Sequence, residues 1–149
     1  MVGGRASGIA LVTQQPINFT ASFSKPINVI PGRRSEVQDR HHELFRSDVK
    51  GKALVFPAAI GSTYTGLMLL EILERGQGPA ALIVQHADPL LVSGSTLAEV
   101  WLSKVVPIVE YPGADLFSTI RTGDELEVDG STGEIIVREP HPLDNNWKE

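Results

Sequence analysis

At 149 residues, 42% apolar and 21% charged, the chain has the length and composition of one globular domain with room for a core. A net charge of −5 without a long basic block excludes a protein that tracks nucleic-acid phosphates, and no apolar run reaches the roughly 20 residues that span a bilayer. The absence of cysteine excludes disulfides, thiol nucleophiles and thiolate metal clusters, and the opening MVGGRASG lacks the apolar core of a secretory signal, so a soluble cytoplasmic protein is expected.

Residues 5–13 (RASGIALVT) predict a first strand, with Gly8 at a bulge. Ile17-Asn18-Phe19 predicts a continuation of the sheet after the turn at Gln15-Pro16. From 22 to 47 there is little periodicity. Two prolines, a glycine and the cations Lys25, Arg33, Arg34, Arg40 and Arg46 predict a long irregular loop, and such loops are often functional. The middle alternates: Lys52–Phe56 reads as a buried strand and Ala80–Gln85 as a second. Leu67, Leu70, Ile72 and Leu73 lie between them at helical spacing, stopped by Gly76 and Gly78. That is a βαβ crossover. A second helix is expected within Pro89–Val100, divided by the small polar turn Ser93-Gly94-Ser95-Thr96, with Ser95 or Thr96 capping the longer part. Val105–Glu110 returns as a strand, and Pro107 places it at an edge or marks an interruption. Asp115–Ile120 predicts one short helix. DELEVDGSTGEIIV predicts a hairpin, and residues 139–149 a loose tail. The sum is an α/β domain over 1–138: a βαβαβ unit flanked by β strands, closed by a C-terminal hairpin.

Gly61-Ser62-Thr63 stands where a strand turns into a helix. A hydroxyl there commonly caps a free backbone amide. The same amides and the positive helix end also stabilise an anion, either a substrate carboxylate or a serine alkoxide, and glycine lets a ligand approach the backbone. A phosphate loop does not fit, because the Gly-Lys-Ser/Thr ending is missing. A Gly-x-Ser-x-Gly elbow does not fit either, since Ile60 and Tyr64 occupy the glycine positions. DRHHEL, Asp39 to Leu44, is a weak metal signal and reads more simply as a solvated loop; Arg33, Arg34, Arg40 and the histidines form a more credible anion-binding surface. His86 follows a strand, where open α/β sheets place ligands, or else is a satisfied core histidine. No acid or histidine is visibly paired with Ser62, which suggests half an active site.

Taken in order, GRASGIALVTQQPINF, DRHHEL, VKGKALVFPAAIGSTYTG, GPAALIV, ADPLLVSG and DELEVDGSTGEI resemble the small subunit of aconitase X proteins across residues 3–138. The resemblance implies the swivelling β/β/α domain of aconitase type, a separate unit closing over a large subunit that holds the iron or iron–sulfur centre. No metal ligand or cofactor is then expected on this chain. In aconitase-type enzymes a Gly-Ser-Ser turn supplies a serine base. The match here makes Ser62 the general base, with Gly61 and Thr63 beside it and Asp39, Arg40 and His41 as substrate-facing support. Tyr64 replaces the aconitase arginine that follows the serines, which argues against a tricarboxylate substrate. Family activities include dehydration of cis-3-hydroxy-L-proline and of a phosphorylated mevalonate. Archaeal-type members carry a Gly-rich GGVDP-TG stretch where this chain has SFSKPINVIPG, which favours the hydroxyproline branch. The expectation is therefore a hydro-lyase small subunit that gives a pyrroline-2-carboxylate. The alternatives are a phosphomevalonate dehydratase small subunit or a non-catalytic swivelling module that binds a partner.

Overall fold

A computed structural model of the chain describes residues 2–25 and 33–138, so the expected tail at 139–149 lies outside the described residues. Chain order is β1 (Arg5–Val12), α1 (Phe19–Phe23), β2 (Ala53–Phe56), α2 (Thr65–Glu74), β3 (Ala81–Val84), α3 (Pro89–Leu102), β4 (Ile108–Glu110), α4 (Leu116–Thr119), β5 (Glu125–Asp129) and β6 (Glu134–Arg138). The six strands form one sheet in the order β4-β3-β2-β1-β5-β6. β1 to β4 run parallel, and the β5–β6 hairpin adds antiparallel to β1.

The runs ALVF of β2 and ALIV of β3 are buried along their whole length because the sheet is covered on both faces. Leu54, Phe56, Leu82, Val84 and Ile108 pack with Phe19, Phe23, Leu69, Ile72 and Leu91 of α1, α2 and α3. The alternate residues Ala53, Val55, Ala81, Ile83 and Val109 meet Leu116 and Ile120 around α4, and Leu126 and Val128 of β5. The period-two alternation of a strand sorts the two sets.

β1 divides its partners, residues 5–9 pairing with β5 and residues 10–12 with β2. Val2 exchanges backbone bonds with Ile108 of β4 (3.1 and 3.3 Å), so the sheet curls back on itself at the end where the parallel strands begin. Gly8 is not a bulge: its register with Leu126 is unbroken. A β-carbon there would stand 2.8 Å from Gly51 O, so a passing backbone requires the glycine.

Two more expectations fail. Asn18 and Phe19 do not extend the sheet. Ile17 makes one parallel bridge to Ala59, and Asn18 then caps α1. Ser93-Gly94-Ser95-Thr96 does not break α3, which runs unbroken from its Asp88 cap to a left-handed Ser103. The hydroxyls of Ser93 and Thr96 donate back to the carbonyls of Pro89 and Val92 within the helix, and buried Ser95 donates to Val106 O at 2.6 Å. Gly94 serves packing: a β-carbon would stand 2.4 Å from Gly66 O in α2. Pro107 acts as expected, since β4 begins after it and forms an edge of the sheet. Among the described residues no helix is long and apolar enough to cross a membrane.

Candidate functional site

The four parallel strands point their C-terminal ends to one side, the usual ligand side of an open α/β sheet. There the segment after β1 (13–18), the turn after β2 (57–64), Gln85 and His86 after β3, and Tyr111 after β4 come together. The β2 turn is fixed from two directions. Ile17 N donates to Ala58 O (3.0 Å) and Ile60 N to Ile17 O (2.9 Å), while the amides of Gln85 and His86 both donate to Pro57 O at 3.0 Å. Gly61 has φ +94°, a conformation that glycine adopts without strain.

Ser62 is half-buried, and its Oγ accepts the Tyr64 amide at 3.0 Å. Its carbonyl accepts the Thr65 hydroxyl at 2.8 Å, and α2 begins at Thr65. The hydroxyl therefore does cap an amide, one step ahead of the helix. Among the described residues Ser62 Oγ has no bond to an acid or a histidine. Thr63 is exposed. Ile60 and Tyr64 on either side of Ser62, with Leu67 and Leu90 where the first turns of α2 and α3 meet, are 49%, 61%, 55% and 40% exposed. Exposed apolar side chains thus flank a polar turn in the sequence and continue onto the first turns of α2 and α3.

The 39–46 loop docks on the other end of the 13–18 segment. Glu43 Oε1 accepts the Thr13 hydroxyl and the Gln14 amide (3.2 Å), and the Glu43 amide donates to Gln15 Oε1 at 2.9 Å. His42 is buried. Its Nδ1 accepts the Leu44 amide at 3.0 Å, which leaves the proton on Nε2, 3.4 Å from Gln15 O. Asp39 is turned inward on its own loop, accepting the His41 amide at 3.0 Å, whereas Arg40 and His41 are exposed. The two predicted groups thus share a support, the 13–18 segment, but among the described residues no hydrogen bond or ion pair joins Asp39, Arg40 or His41 to Gly61, Ser62 or Thr63. Beside the loop, Thr13, Gln15, Glu43, Phe117, Arg121 and Thr122 line an open groove of about 580 Å³.

His86 is exposed on this side and is no core histidine. At the end of β4 the Asp115 carboxylate accepts the Tyr111 hydroxyl at 3.0 Å, and that bond and its charge push the phenol above its ordinary value. The sequence reading did not anticipate Asn18 as the cap of α1 or the bonds between Glu43 and Thr13. The only signal for Asn18 was its type ahead of an apolar residue, the pattern of a helix cap. The chain has no cysteine, and among the described residues no three or more His, Asp and Glu converge on one point.

The family model for the aconitase X swivel domain matches residues 1–137. The phosphomevalonate dehydratase small subunits of Methanocella arvoryzae and Methanothermobacter thermautotrophicus are 32% and 30% identical to the chain, each match covering 89% of this chain and 91% of the relative. Among solved structures, aconitase X of Thermococcus kodakaraensis in its holo-form superimposes with a TM-score of 0.76 at 27% identity, covering 93% of both chains. The solution structure of a UPF0107 protein gives 0.75 at 28%, covering 93% of this chain and 94% of that one. The swivelling α/β architecture expected from the sequence is the one these relatives share.

Proposed function

Because the chain belongs to the aconitase X swivel-domain family, we propose that it is the small subunit of a two-chain hydro-lyase acting on a phosphorylated mevalonate, with Ser62 abstracting the proton. The observation that carries this is the Gly61-Ser62-Thr63 turn, standing at the ligand side of the sheet in a chain that matches phosphomevalonate dehydratase small subunits over nine-tenths of their length. A second reading, cis-3-hydroxy-L-proline, is supported by SFSKPINVIPG at 22–32, which lacks the glycine-rich pattern of archaeal-type members. Residues 26–32 of that stretch lie outside the described residues.

Both substrates are 3-hydroxy carboxylates, and the chemistry asked of this chain is the same. The proton α to the carboxylate is removed while the 3-hydroxyl leaves. A serine accepts a proton only as an alkoxide, so negative charge on Oγ has to be stabilised. The Tyr64 amide already points at Oγ, and such a bond strengthens roughly twofold when its acceptor is charged. The first turn of α2 adds about half a positive charge nearby. The cap and the base are then one arrangement in two protonation states. The exposed apolar side chains of Ile60, Tyr64, Leu67 and Leu90 suit a covering large subunit, whose contact would exclude water and strengthen each of these interactions. Departure of the hydroxyl falls to groups outside this chain.

The test is turnover of both substrates by the chain reconstituted with its large subunit, comparing wild type with Ser62→Ala. Loss of at least about 10²-fold with assembly intact is expected for a missing base. Equal turnover would leave Ser62 a cap and the chain a non-catalytic module.

A further inference from the structure

Asn18 has one end of its side chain fixed and the other, among the described residues, without a partner, directly against the Ser62 turn. Its Oδ1 accepts the Ala21 amide at 3.1 Å as the N-cap of α1. That bond sets the plane of the amide and identifies Nδ2 as the opposite atom. Nδ2 lies on Gly61: a β-carbon at Gly61 would stand 2.4 Å from it and 2.9 Å from Cγ. Among the described residues Nδ2 has no acceptor. The side chain is half-buried, and the backbone bonds of Ile17 to Ala58 and Ile60 hold the two segments in one register. The result is a neutral, oriented donor beside the residue that precedes Ser62.

We propose that Asn18 Nδ2 is a substrate-binding donor for the carboxylate of the hydroxy acid, which places its α-carbon at Ser62; this rests on the reading of Ser62 given above. Removing a proton next to a carboxylate moves charge onto the carboxylate oxygens. A donor already aimed at one of them therefore holds the substrate and stabilises the charge as it develops. The glycine at 61 acquires a second reason: it leaves room for this amide.

Asn18→Asp keeps the volume and the cap acceptor while replacing the donor with a charged oxygen. Asn18→Ser keeps a cap and removes the donor without adding charge. Both are made in the two-chain complex carrying Ser62→Ala, which binds without turnover. Calorimetric titration with cis-3-hydroxy-L-proline and with phosphorylated mevalonate reads Kd, and thermal unfolding reads the fold. The expectation is a Kd raised at least about tenfold by Asn18→Ser, which loses a hydrogen bond to a charged group, and further by Asn18→Asp, which adds a like charge. An unchanged Kd in Asn18→Asp, at whatever Tm, overturns the assignment while leaving Ser62 as it stands. A complex that neither binds nor turns over either substrate overturns the functional reading, and this inference with it.

Discussion

Replacing Gly61 by alanine tests the geometry of the site in two independent ways. The first is backbone strain. At φ +94° a side chain costs about 1–3 kcal/mol that glycine does not incur. The second is contact. The new methyl would stand 2.4 Å from Asn18 Nδ2, whereas ordinary contact begins near 3.5 Å, so the amide has to retreat by about 1 Å. Its other end is bonded to Ala21 N at 3.1 Å, and a retreat of that size directed away from Ala21 takes the pair beyond hydrogen-bond range. Loss of an N-cap costs about 0.5–2 kcal/mol. Together the terms come to roughly 1.5–5 kcal/mol, which in a domain of this size lowers Tm by about 3–20 °C. Thermal denaturation of the small chain reads that sum, and turnover with the large subunit reads the displacement of Ser62. Adding Asn18→Ser to Gly61→Ala removes the contact and keeps the strain, so the double variant recovers part of the loss; that recovery is the coupling between the residues. A Gly61→Ala protein with a Tm within about 1 °C of wild type and full turnover would refute the reasoning at both steps.

Ser95→Ala removes the buried donor to Val106 O and leaves that carbonyl without its 2.6 Å partner; we expect about 1–3 kcal/mol of destabilisation by denaturant unfolding, and an unchanged midpoint would mean that water replaces the hydroxyl. Asp129 gives a pH test. Burial works against its charge, but the amides of Thr132 and Ser131 and the Arg5 guanidinium outweigh burial and hold the carboxyl below its ordinary value. A lowered folded value means a stabilisation complete at neutral pH and lost as pH falls from the ordinary carboxylate range through the folded value. The stability gap between wild type and Asp129→Asn should therefore narrow on acidification, and a gap constant with pH would contradict that assignment.

The parts of the fold that were legible are those in which local pattern and tertiary role agree. The runs ALVF and ALIV are bounded by Gly and Pro and buried on both faces, so an apolar run and a central parallel strand coincide. The hairpin at 125–138 likewise follows its alternation and Gly-rich turn. Errors arose where small polar residues serve packing. Ser93 to Thr96 looks like a loop because its hydroxyls are good turn formers, yet they bond back along α3 while Gly94 admits α2. Asn18 sits between apolar neighbours that predict a strand; its place in the fold depends on Ala21, which it caps, and on Gly61, one near and one across the long loop. The place of Ser62, in a turn between a strand and a helix, was legible in the sequence. The latch of Glu43 on Thr13 and Gln14 was not, because contacts between distant segments leave no period in a sequence.

The division of β1 between two partners also sets an order of assembly. Its second half meets β2, which is synthesised soon after it. Its first half waits for β5, so Arg5 to Ile9 present an unpaired edge until residues 125–129 have been made. Over that interval Ala53, Val55, Ala81 and Ile83 also lack the cover of Leu126 and Val128. Such long-range pairing is slow to form, and an open edge above a half-covered apolar face is where a nascent chain pairs with its neighbours. The final hairpin is therefore the clasp of the domain. A ribosome that stalls before residue 125 would release a chain that already holds the Ser62 turn but cannot yet bury the sheet that supports it.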